Sequence, residues 1–445
     1  MYIKLTSFLV VGLKKSGYSI TKLLLSKGAE VYIYDDFLEG FSKKNASELE
    51  SLNAKITSNP IETLNNIDVL VLSPGVPIDN EIALEARRLN KRIIGELELA
   101  SYFIISPIIA VTGTNGKSTV CSMLSHVLDT SNEENFLLGN IGTPLSSKVN
   151  EITSDSLLIT EVSSFQLETV TRFCPHVACI LNITPDHLDR HYNMENYLFL
   201  KSKLIQNLKE SEYAVLNYDD ENVRNLHKNT KGKIIWFSKT EKVNGAYLEN
   251  GNLTFNEEVV INSSEINLIG MHNIENALAV ISILKIIGLE NEEIKIGLKS
   301  FRGIKHRIEQ VKTVNEVVFY NDSKSTNPDS TIKAINSVTV PTVLIMGGYE
   351  KGLDYSEVMK AVKLSQNIEN LVLTGMSAKS MYDTAIKCNL NNVSVICDFV
   401  SSIKFAYSLA KKGGAVLFSP STSSFDNFSS YEERGEKFIE AVNQL

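Results

Sequence analysis

Short apolar runs rich in β-branched residues alternate with longer helical stretches over the first 95 residues. The runs predict strands at residues 7–12, 30–34, 68–72 and 92–94. A helix is expected over 19–27, where Gly28 suits a helix end. Strands that alternate with helices form βαβ units and a parallel sheet, whose ligands lie beyond the carboxyl ends of the strands.

The same alternation continues through two further regions. In the second region, strands are predicted at residues 108–111, 157–160 and 178–181, and a helix from about residue 274 ends near Gly288. In the third region, which begins near Phe301, strands are predicted at 343–346, 371–374, 393–397 and 415–419. We therefore predict an α/β fold of three consecutive domains, the first and third Rossmann-like, spanning 1–95, 96–299 and 300–445.

Composition and charge exclude several classes of partner. Apolar residues make up 43% of the 445 residues and charged residues 22%, so the chain can bury sizeable cores. With 44 Lys and Arg against 52 Asp and Glu, the net charge of −8 disfavours general binding to nucleic acid or to an anionic membrane. The most apolar internal stretch, 102–111, is interrupted by Ser106-Pro107 and is shorter than the roughly 18 residues of a membrane span.

Cysteine usage and the N-terminus indicate the compartment. The five cysteines are odd in number and show no Cys-x-x-Cys spacing, which argues against a disulfide framework or a zinc site. The apolar stretch 5–13 leads into Lys14 and Lys15 without a small-x-small cleavage site, so it does not resemble a signal peptide. We expect a cytoplasmic protein with no membrane and no nucleic-acid partner.

The strongest local motif is the run 112–119, Thr-Gly-Thr-Asn-Gly-Lys-Ser-Thr, between an apolar strand and a helix predicted to begin near Lys117. In such a loop, backbone N–H groups surround phosphate oxygens, Lys117 neutralises charge and the Ser118 hydroxyl can reach a magnesium ion. The common motif has glycine at the position of Val111, so this loop is a shortened variant. An ordinary glycine-rich turn is the competing interpretation, but the context favours a central sheet of the P-loop ATPase type.

Two further polar segments follow predicted strands of the central region. Glu161 comes directly after one strand, and the run 182–190, which contains His187, follows the next. A carboxylate at the edge of a sheet that carries a phosphate loop is well placed to hold the nucleotide's magnesium. Taken alone, each of these residues would more often be solvated, as would Lys201 and Lys203 on a predicted helix.

Taken together, these motifs resemble those of one family, the Mur ligases, in which ATP drives amide bond formation on a UDP-linked sugar peptide. The resemblance covers essentially the whole chain, and the motifs occur in the family's order. The matching runs are residues 113–119, 161–167, 182–190, 270–279, 306–309, 321–327 and 347–352.

Within the family, the chain is most similar to the members that add D-glutamate. The runs that point there are residues 10–13, 16–17, 73–77, 419–420 and 424–428. Members that add lysine or diaminopimelate are expected to carry an Asp-Asn-Pro-Arg run in the C-terminal domain, and this sequence contains no such run.

The resemblance implies an ATP-dependent ligase of peptidoglycan precursor synthesis. ATP would phosphorylate the carboxylate of UDP-N-acetylmuramoyl-L-alanine, and the amine of D-glutamate would then attack the acyl phosphate. Both steps gather negative charge around the transferred phosphoryl group, so positioning and stabilisation by cations should dominate catalysis. The implied partners are these small molecules, and the protein is expected to be a monomer.

Four residues match catalytic positions of the family: Lys117, Glu161, His187 and Lys201. Lys117 would neutralise phosphate charge together with two magnesium ions. Ser118 and Glu161 would hold the first ion, and Glu161 and His187 the second. Lys201 matches a family lysine that carbon dioxide carbamylates, and the resulting anion would support the second ion, which an ammonium group would repel.

The resemblance also assigns residues to each ligand. For ATP they are Gly113, Thr114, Asn115, Gly116, Lys117, Ser118, Thr119, Asn276, Arg307 and Asp322. For the UDP-linked substrate they are Ser16, Asp35, Ser73, Gly75 and Asn140. D-glutamate has two carboxylates and therefore calls for cations and hydroxyl donors, for which the matching residues are Lys324, Thr326, Lys351, Ser424 and Tyr431.

The first turn departs from the family pattern. Family members commonly have Gly-Leu-Gly before Lys-Ser-Gly, whereas residues 12–17 here are Gly-Leu-Lys-Lys-Ser-Gly. Because lysine adopts a positive φ less cheaply than glycine, either the turn has a different backbone shape or Lys14 contributes its charge toward the diphosphate. Asp36 stands where threonine is common, so only Asp35 is assigned to the substrate.

Three other functions compete with this one. Folylpolyglutamate synthetase shares the shortened phosphate loop and the addition of glutamate, but it does not explain a complete Rossmann-like domain ahead of that loop. A nicotinamide-dependent oxidoreductase would need the middle glycine that the spacing from Gly12 to Gly17 lacks. A catalytically silent ATP-binding regulator would not need a second metal site.

Overall fold

The computed structural model of the chain describes residues 3–36, 40–268 and 270–445. It divides into two compact units, Met1–Phe301 and Arg302–Leu445. Within these described ranges the first unit contains two sheets and the second unit one, with helices between most successive parallel strands. The predicted α/β architecture is confirmed, whereas the domain limits 1–95, 96–299 and 300–445 stay a prediction. None of the described helices is both long enough and apolar enough to cross a membrane.

The N-terminal sheet is parallel and has the strand order β3-β2-β1-β4-β5. Its elements are β1 (Ser7–Val11), α1 (Lys15–Ser26), β2 (Glu30–Tyr34), α2 (Gly40–Ser51), β3 (Lys55–Ile56), α3 (Pro60–Thr63), β4 (Val69–Leu72), α4 (Glu81–Arg88) and β5 (Arg92–Gly95). Strand β4 is buried along its whole length, as expected when helices cover both faces of a parallel sheet. Helix α1 begins at Lys15 rather than at residue 19, and Gly28 follows its end with a φ of +80°.

Helix α5 (Glu96–Ser101) leads into the central sheet, whose strand order is β14-β13-β12-β11-β10-β9-β6-β8-β7. The elements up to the middle of this sheet are β6 (Ile108–Thr112), α6 (Lys117–Thr130), β7 (Asn135–Gly139), β8 (Leu157–Glu161), α7 (Ser164–Leu167), β9 (Val177–Ile180), α8 (Leu188–His191) and α9 (Met194–Gln206). The remaining elements are β10 (Tyr213–Asn217), α10 (Glu221–Asn225), β11 (Lys233–Ser238), β12 (Gly245–Glu249), β13 (Asn252–Phe255), β14 (Glu258–Asn262), α11 (Met271–Ile286) and α12 (Asn291–Ser300). Strands β6 to β12 are all parallel to their neighbours among these strands. At one edge of the sheet, β13 and β14 continue it with antiparallel pairing.

Helices α6 and α11 cover one face of the central sheet. Val120 and Leu124 of α6 and Ile281 and Leu284 of α11 are fully buried in one core cluster with Val111 of β6. The segment from Ala277 to Leu284 is buried all round, which is typical of a helix enclosed by other elements. This packing fixes the start of α6, and hence the phosphate loop, against the sheet.

The sheet of the second unit has the order β15-β16-β20-β17-β18-β19 and is parallel except for β15. Its elements are β15 (Glu309–Val314), β16 (Val317–Asn321), α13 (Pro328–Ser337), β17 (Thr342–Gly347), α14 (Ser356–Leu364), β18 (Ile368–Thr374), α15 (Ala378–Lys387), β19 (Val393–Val395), α16 (Phe399–Leu409), β20 (Ala415–Phe418) and α17 (Tyr431–Asn443). The predicted strands are present here, although β19 stops at Val395 rather than at residue 397.

A buried carboxylate ties α5 to the central domain. Glu98 accepts hydrogen bonds from the backbone N–H groups of Thr171, Arg172 (2.8 Å) and Phe173 (3.4 Å). Burial by itself would raise its pKa, but these hydrogen bonds and the one from the Tyr102 hydroxyl outweigh burial, so the pKa is lowered. The charged form of Glu98 therefore stabilises the fold.

We predict that Glu98→Gln lowers the free energy of unfolding of the first unit by about 2 kcal/mol at pH 7, because an amide cannot accept all these hydrogen bonds. Since the folded-state pKa is lowered, the contribution is present above the ordinary pKa of about 4.3 and is lost as the pH falls through the folded-state value. Urea unfolding followed by the fluorescence of Trp236, the one tryptophan of the chain, measures both.

The exposed Glu151, paired with Lys148 on the surface, provides the control variant Glu151→Gln, whose midpoint should match that of the unaltered protein. Equal urea midpoints for Glu98→Gln and the unaltered protein at pH 7 would contradict the role given to Glu98.

Candidate active site

The phosphate loop connects β6 to the N-terminus of α6. Gly116 stands at the helix start with a φ of +86°, a conformation that favours glycine. A Cβ atom at this position would lie 2.5 Å from Asn276 Oδ1 and 3.2 Å from Leu181 Cδ1. Both backbone conformation and space therefore require glycine, and Asn276, predicted to contact ATP, packs directly against the loop.

A neighbouring segment holds the loop in shape. Asn182 Oδ1 accepts the N–H of Asn115 at 2.8 Å, and Asn182 Nδ2 donates to the Asn115 carbonyl at 3.1 Å. The backbone carbonyl of Asn182 also accepts the N–H of Thr114 at 2.9 Å. Asn182 was not predicted as a site residue, although a polar residue just after the end of β9 could have indicated one.

Lys117 is folded back over the loop that precedes it. Its Nζ donates to the carbonyl oxygens of Gly113 (2.8 Å) and Thr114 (2.9 Å). Ser118 and Thr119 follow in the first turn of α6 and are partly exposed. The N-terminus of this helix, with its positive dipole end, is suited to bind phosphate.

Glu161, the last residue of β8, is buried beside this loop. Its Oε1 accepts a hydrogen bond from Asn140 Nδ2 at 2.7 Å, whereas its Oε2 is buried without a hydrogen-bond partner among the described residues. A buried acceptor left unsatisfied costs about 1–3 kcal/mol. A hard divalent cation, which prefers carboxylate oxygens, fits this position.

His187 lies at the start of α8 with a φ of +52°, which is uncommon outside glycine. Its ring packs against the ring of Phe165 with centroids 4.8 Å apart, and Nε2 is 3.6 Å from Asp186 Oδ2. About half of the side chain (48%) is exposed, so the ring can reach a ligand from solvent.

Lys201 and Lys203 are both on α9 but point to different partners. The Nζ of the buried Lys201 donates to the Gly113 carbonyl (2.9 Å) and to Thr112 Oγ1 (3.3 Å). Burial and, next, the positive charge of Lys117 lower the pKa of Lys201 to about 7. Lys203 instead donates to the carbonyls at the end of α7. Of these two lysines, only Lys201 contacts the phosphate loop.

The described residues contain no group of three or more His, Cys, Asp or Glu side chains that could hold a metal ion. Glu161 and His187 alone would therefore be too few for a magnesium ion, which takes oxygen ligands and also uses substrate phosphates. The residue set fits magnesium only if a nucleotide and a modified lysine complete the coordination.

The first turn of the N-terminal domain has an unstrained lysine. Lys14 is the N-cap of α1, with a φ of −71°, and its side chain is exposed. The positive φ falls on Gly12 (+89°) instead, whose carbonyl accepts a hydrogen bond from Ser73 Oγ at 2.7 Å. Asp35 Oδ2 accepts the N–H of Leu13 at 2.7 Å. The backbone conformation at Lys14 is therefore one that lysine adopts without strain.

The other residues predicted for the UDP-linked substrate are Ser16 and Gly75 in the N-terminal domain and Asn140 in the central domain. Ser16 is in the first turn of α1 and is partly exposed. Gly75 faces open space, since an added Cβ would meet no atom within 4 Å. Asn140, predicted to reach the sugar, holds Glu161 in the central domain.

In the second unit, Asp322 is buried and fully engaged. Its Oδ1 accepts the N–H of Ile308 at 3.2 Å, and its Oδ2 accepts the hydroxyls of Ser325 (2.5 Å) and Ser419 (2.6 Å). Burial raises its pKa to about 6. The predicted phosphate contact Arg307 is exposed next to this cluster.

Buried Arg434 joins two segments predicted to hold D-glutamate. Its guanidinium donates to the carbonyls of Ser323 (2.9 Å), Thr422 (3.0 Å) and Ser423 (2.9 Å). Lys324 Nζ lies 5.9 Å from the ring centroid of Tyr431. Sequence reasoning missed Arg434, because nothing in its surrounding run distinguishes it from an exposed helical arginine.

The remaining predicted D-glutamate contacts differ in burial: Thr326 is partly exposed, Lys351 is exposed and Ser424 is buried. Thus the first unit gathers the phosphate loop, Asn276, Glu161 and Lys201 at one edge of the central sheet. The second unit brings Lys324 next to Tyr431.

Three family models match consecutive parts of the chain. They are the Mur ligase MurD-like N-terminal domain over residues 6–95, the Mur ligase middle domain over 111–284 and the Mur ligase glutamate ligase domain over 306–422.

Curated relatives match over the full length. The UDP-N-acetylmuramoylalanine–D-glutamate ligase of Thermoanaerobacter sp. (strain X514) is 41% identical, with 100% of each chain covered. The ligase of the same name from Clostridioides difficile (strain 630) is 39% identical over 100% of each chain.

Solved structures share the fold at lower identity. A UDP-N-acetylmuramate-alanine ligase from Thermotoga maritima has a TM-score of 0.58 at 19% identity, with 99% of each chain covered. A MurF structure from Acinetobacter baumannii has a TM-score of 0.57 at 18% identity over 85% of each chain. On the full-length relatives and the three consecutive domain matches, the chain belongs to the Mur ligase family of enzymes.

Proposed function

We propose that this ligase adds D-glutamate to UDP-N-acetylmuramoyl-L-alanine in peptidoglycan precursor synthesis, using ATP. The names of the full-length relatives support this substrate pair. The observation that carries the chemistry is Glu161 Oε2, which is buried without a hydrogen-bond partner among the described residues, at the same sheet edge as the phosphate loop. We further propose that the protein works as a cytoplasmic monomer on small molecules alone.

The reaction has two covalent steps. A carboxylate oxygen of the L-alanyl group attacks the γ-phosphorus of ATP, and the bond to ADP breaks. The D-glutamate amine then attacks the carbonyl carbon of the acyl phosphate, the C–O bond breaks, phosphate leaves and the amine loses a proton. Negative charge grows around the phosphoryl group in both steps.

The proposed role of Lys117 and the start of α6 is to bind the phosphates of ATP. Lys117 Nζ lies within hydrogen-bond distance of two loop carbonyls, and in the proposed complex phosphate oxygens take the place of these acceptors. Asn276, which packs against the loop, is the proposed contact to the adenine, and Arg307 and Asp322 are the proposed contacts to the phosphates and the ribose.

The proposed metal ligands are Ser118 and Glu161 for one magnesium ion, and Glu161, His187 and carbamylated Lys201 for a second. When bound, these ions neutralise the charge of the triphosphate and of the acceptor carboxylate. The lone pairs of Glu161 Oε2 are oriented by the hydrogen bond from Asn140 to the other oxygen. Phe165 holds the ring of His187 at the rim.

Carbamylation of Lys201 needs a neutral amine, whose nitrogen bonds to the carbon of CO₂ as a proton leaves to water. Burial next to Lys117 lowers the pKa of Lys201 to about 7, so a large share of the amine is neutral at cellular pH. The alternative, Lys203, caps the end of α7 and lies away from the phosphate loop. These contacts support Lys201 as the modified residue.

The proposed contacts to the UDP-linked substrate are Ser16, Asp35, Ser73, Gly75 and Asn140. The proposed contacts to D-glutamate are Lys324, Thr326, Lys351, Ser424 and Tyr431. Lys324 and Lys351 supply the cations that two carboxylates need, and the hydroxyl groups supply directed donors.

The first experiment tests the substrate pair. With UDP-N-acetylmuramoyl-L-alanine and ATP, phosphate release is expected with D-glutamate and only at background level with L-glutamate, L-lysine or no amino acid. A malachite-green assay measures the phosphate, and mass spectrometry identifies the dipeptide product. Equal release with all amino acids would defeat the proposal, and folate-dependent release would favour folylpolyglutamate synthetase instead.

The second experiment tests the modified lysine. Lys201→Ala is expected to lose about 100-fold in activity, the scale seen when support for a catalytic metal is removed. Short carboxylates such as acetate should restore part of this activity, because they can occupy the space of the carbamate. A carbamate signal from ¹³C-labelled CO₂ should appear in the NMR spectrum of the unaltered protein and not in that of the variant.

Lys203→Ala on the same helix is the matched control, since it should keep the carbamate signal and show no rescue by acetate. Full activity of Lys201→Ala, or a carbamate signal that survives the substitution, would remove Lys201 from the proposed site.

A further inference from the structure

Arg190 and Glu168 form a nearly buried, two-pronged ion pair next to the candidate active site. Arg190 Nε donates to Glu168 Oε1 at 3.0 Å, and Nη2 donates to Oε2 at 2.6 Å. Only 19% of the Arg190 side chain and 6% of the Glu168 side chain are exposed. Such a two-pronged pair fixes the plane of the guanidinium as well as its position.

The same guanidinium reaches into the N-terminal domain. Nη2 also donates to the carbonyl of Val76 at 3.1 Å, in the loop that connects β4 to α4. Val76 closes a turn with Ser73, whose carbonyl accepts the Val76 N–H at 2.9 Å. A Cβ atom at Gly12 would lie 2.9 Å from both Val76 Cγ2 and Ser73 Cβ, so this loop packs tightly on the first turn.

The opposite side of Arg190 faces the reaction centre. Its guanidinium carbon lies 5.2 Å from the ring centroid of Phe165, the ring that packs on His187. The His191 ring lies 5.5 Å from Phe165, and its Nδ1 is 3.5 Å from Glu168 Oε1. Arg190 therefore lies between Phe165, which packs on His187, and the loop around Val76.

A second contact runs beside the first. The hydroxyl of Tyr192 donates to Asp79 Oδ2, so two residues of the segment after His187 bond to the loop between β4 and α4. Arg190 provides the more buried of the two contacts, and its partner Glu168 balances its charge.

We propose that Arg190 is a positioning residue that holds the loop 73–77 at a fixed distance from His187. The inference rests on the proposed function, in which this loop holds the UDP-linked substrate. In the proposed function, the N-terminal domain binds most of the substrate that carries the reacting carboxylate. The central domain binds ATP, the phosphoryl donor. A fixed distance between the two domains decides whether these groups meet, and displacement of about 1 Å can cost 100-fold in rate.

An arginine suits this position better than a lysine. The guanidinium can donate to both oxygens of Glu168 and to the Val76 carbonyl at once, because its donors form a planar fork. An ammonium at the end of a lysine chain would reach either partner without fixing the plane. Loss of Arg190 alone would also leave Glu168 buried and uncompensated, so the test needs a neutral pair.

The test compares Arg190→Gln, Arg190→Lys and the neutral double variant Arg190→Gln with Glu168→Gln. Arg88→Gln, in an exposed arginine–glutamate pair on α4, is the matched control. Isothermal titration calorimetry measures the affinity for UDP-N-acetylmuramoyl-L-alanine without the other substrates, and separately the affinity for ATP. Steady-state assays give KM for each substrate and kcat, and the melting temperature reports on folding.

The double variant is expected to bind the UDP-linked substrate about 10- to 100-fold more weakly, with a matching rise in its KM. Its affinity for ATP should stay within about twofold, because the pair bonds to Val76 and packs beside Phe165 and His191, which lie outside the phosphate loop. Arg190→Lys should fall between the double variant and the unaltered protein, and Arg88→Gln should behave like the unaltered protein.

Unchanged affinity and KM for the UDP-linked substrate in the double variant would overturn the inference. A parallel loss of affinity for both ligands, accompanied by a lower melting temperature, would also overturn it, since a purely structural role predicts that pattern. If Arg190→Gln does not fold, the Arg190→Lys series decides between the same outcomes. Failure of the unaltered protein to release phosphate with D-glutamate would instead defeat the proposed function, and this inference with it.

Discussion

The position of β6 between β8 and β9 in the central sheet determines where the reactive groups of the first unit lie. All three strands are parallel, so their carboxyl ends meet at one edge, and each is followed by a polar segment. The phosphate loop follows β6, Glu161 ends β8, and Asn182 comes shortly after β9. Because strand registers are fixed by the hydrogen-bond ladder, the distances between these groups depend little on the mobility of any loop.

Two buried charges in this protein are stabilised mainly by hydrogen bonds with peptide groups, although Glu98 also pairs with Arg92 at 3.4 Å. Glu98 is held by a row of backbone N–H groups, and Arg434 by carbonyl oxygens. Peptide dipoles at these places belong to the fold itself, so they satisfy most of the charge at little extra cost in side-chain ordering. Each charge binds segments that are far apart in the sequence, and it therefore stabilises their packing against each other.

The sequence predicts the strands that are buried along their whole length, such as β4, β6, β9, β17 and β20, because continuous apolar runs bounded by turns are a strong signal. It misses β3, whose two residues are both exposed, and strands β13 and β14, whose polar outer positions dilute the pattern. Strands β10, β11, β12, β15 and β16 were not predicted either. The predicted strands lie where expected, with small shifts at their ends. Strand β7, at the edge of the central sheet, was not predicted either, since most of its residues are only partly buried.

At the candidate site, residue types next to strand ends could be chosen from the sequence, but their partners could not. The hydrogen bond from Asn140 to Glu161 and the different directions of Lys201 and Lys203 depend on the packing of segments far apart in the chain. Likewise, no local pattern distinguishes Arg190, which reaches the Val76 carbonyl, from an ordinary helical arginine.

The first turn shows how shape and charge can be separated within a few residues. Gly12 and Gly17 have no room for a side chain, since a Cβ at Gly17 would collide with the Gly12 carbonyl. Lys14, between them, has an ordinary backbone conformation and an exposed side chain. The electrostatic character of this rim can therefore change by substitution at a single position while the turn keeps its geometry, so charge here is an independently variable property of the fold.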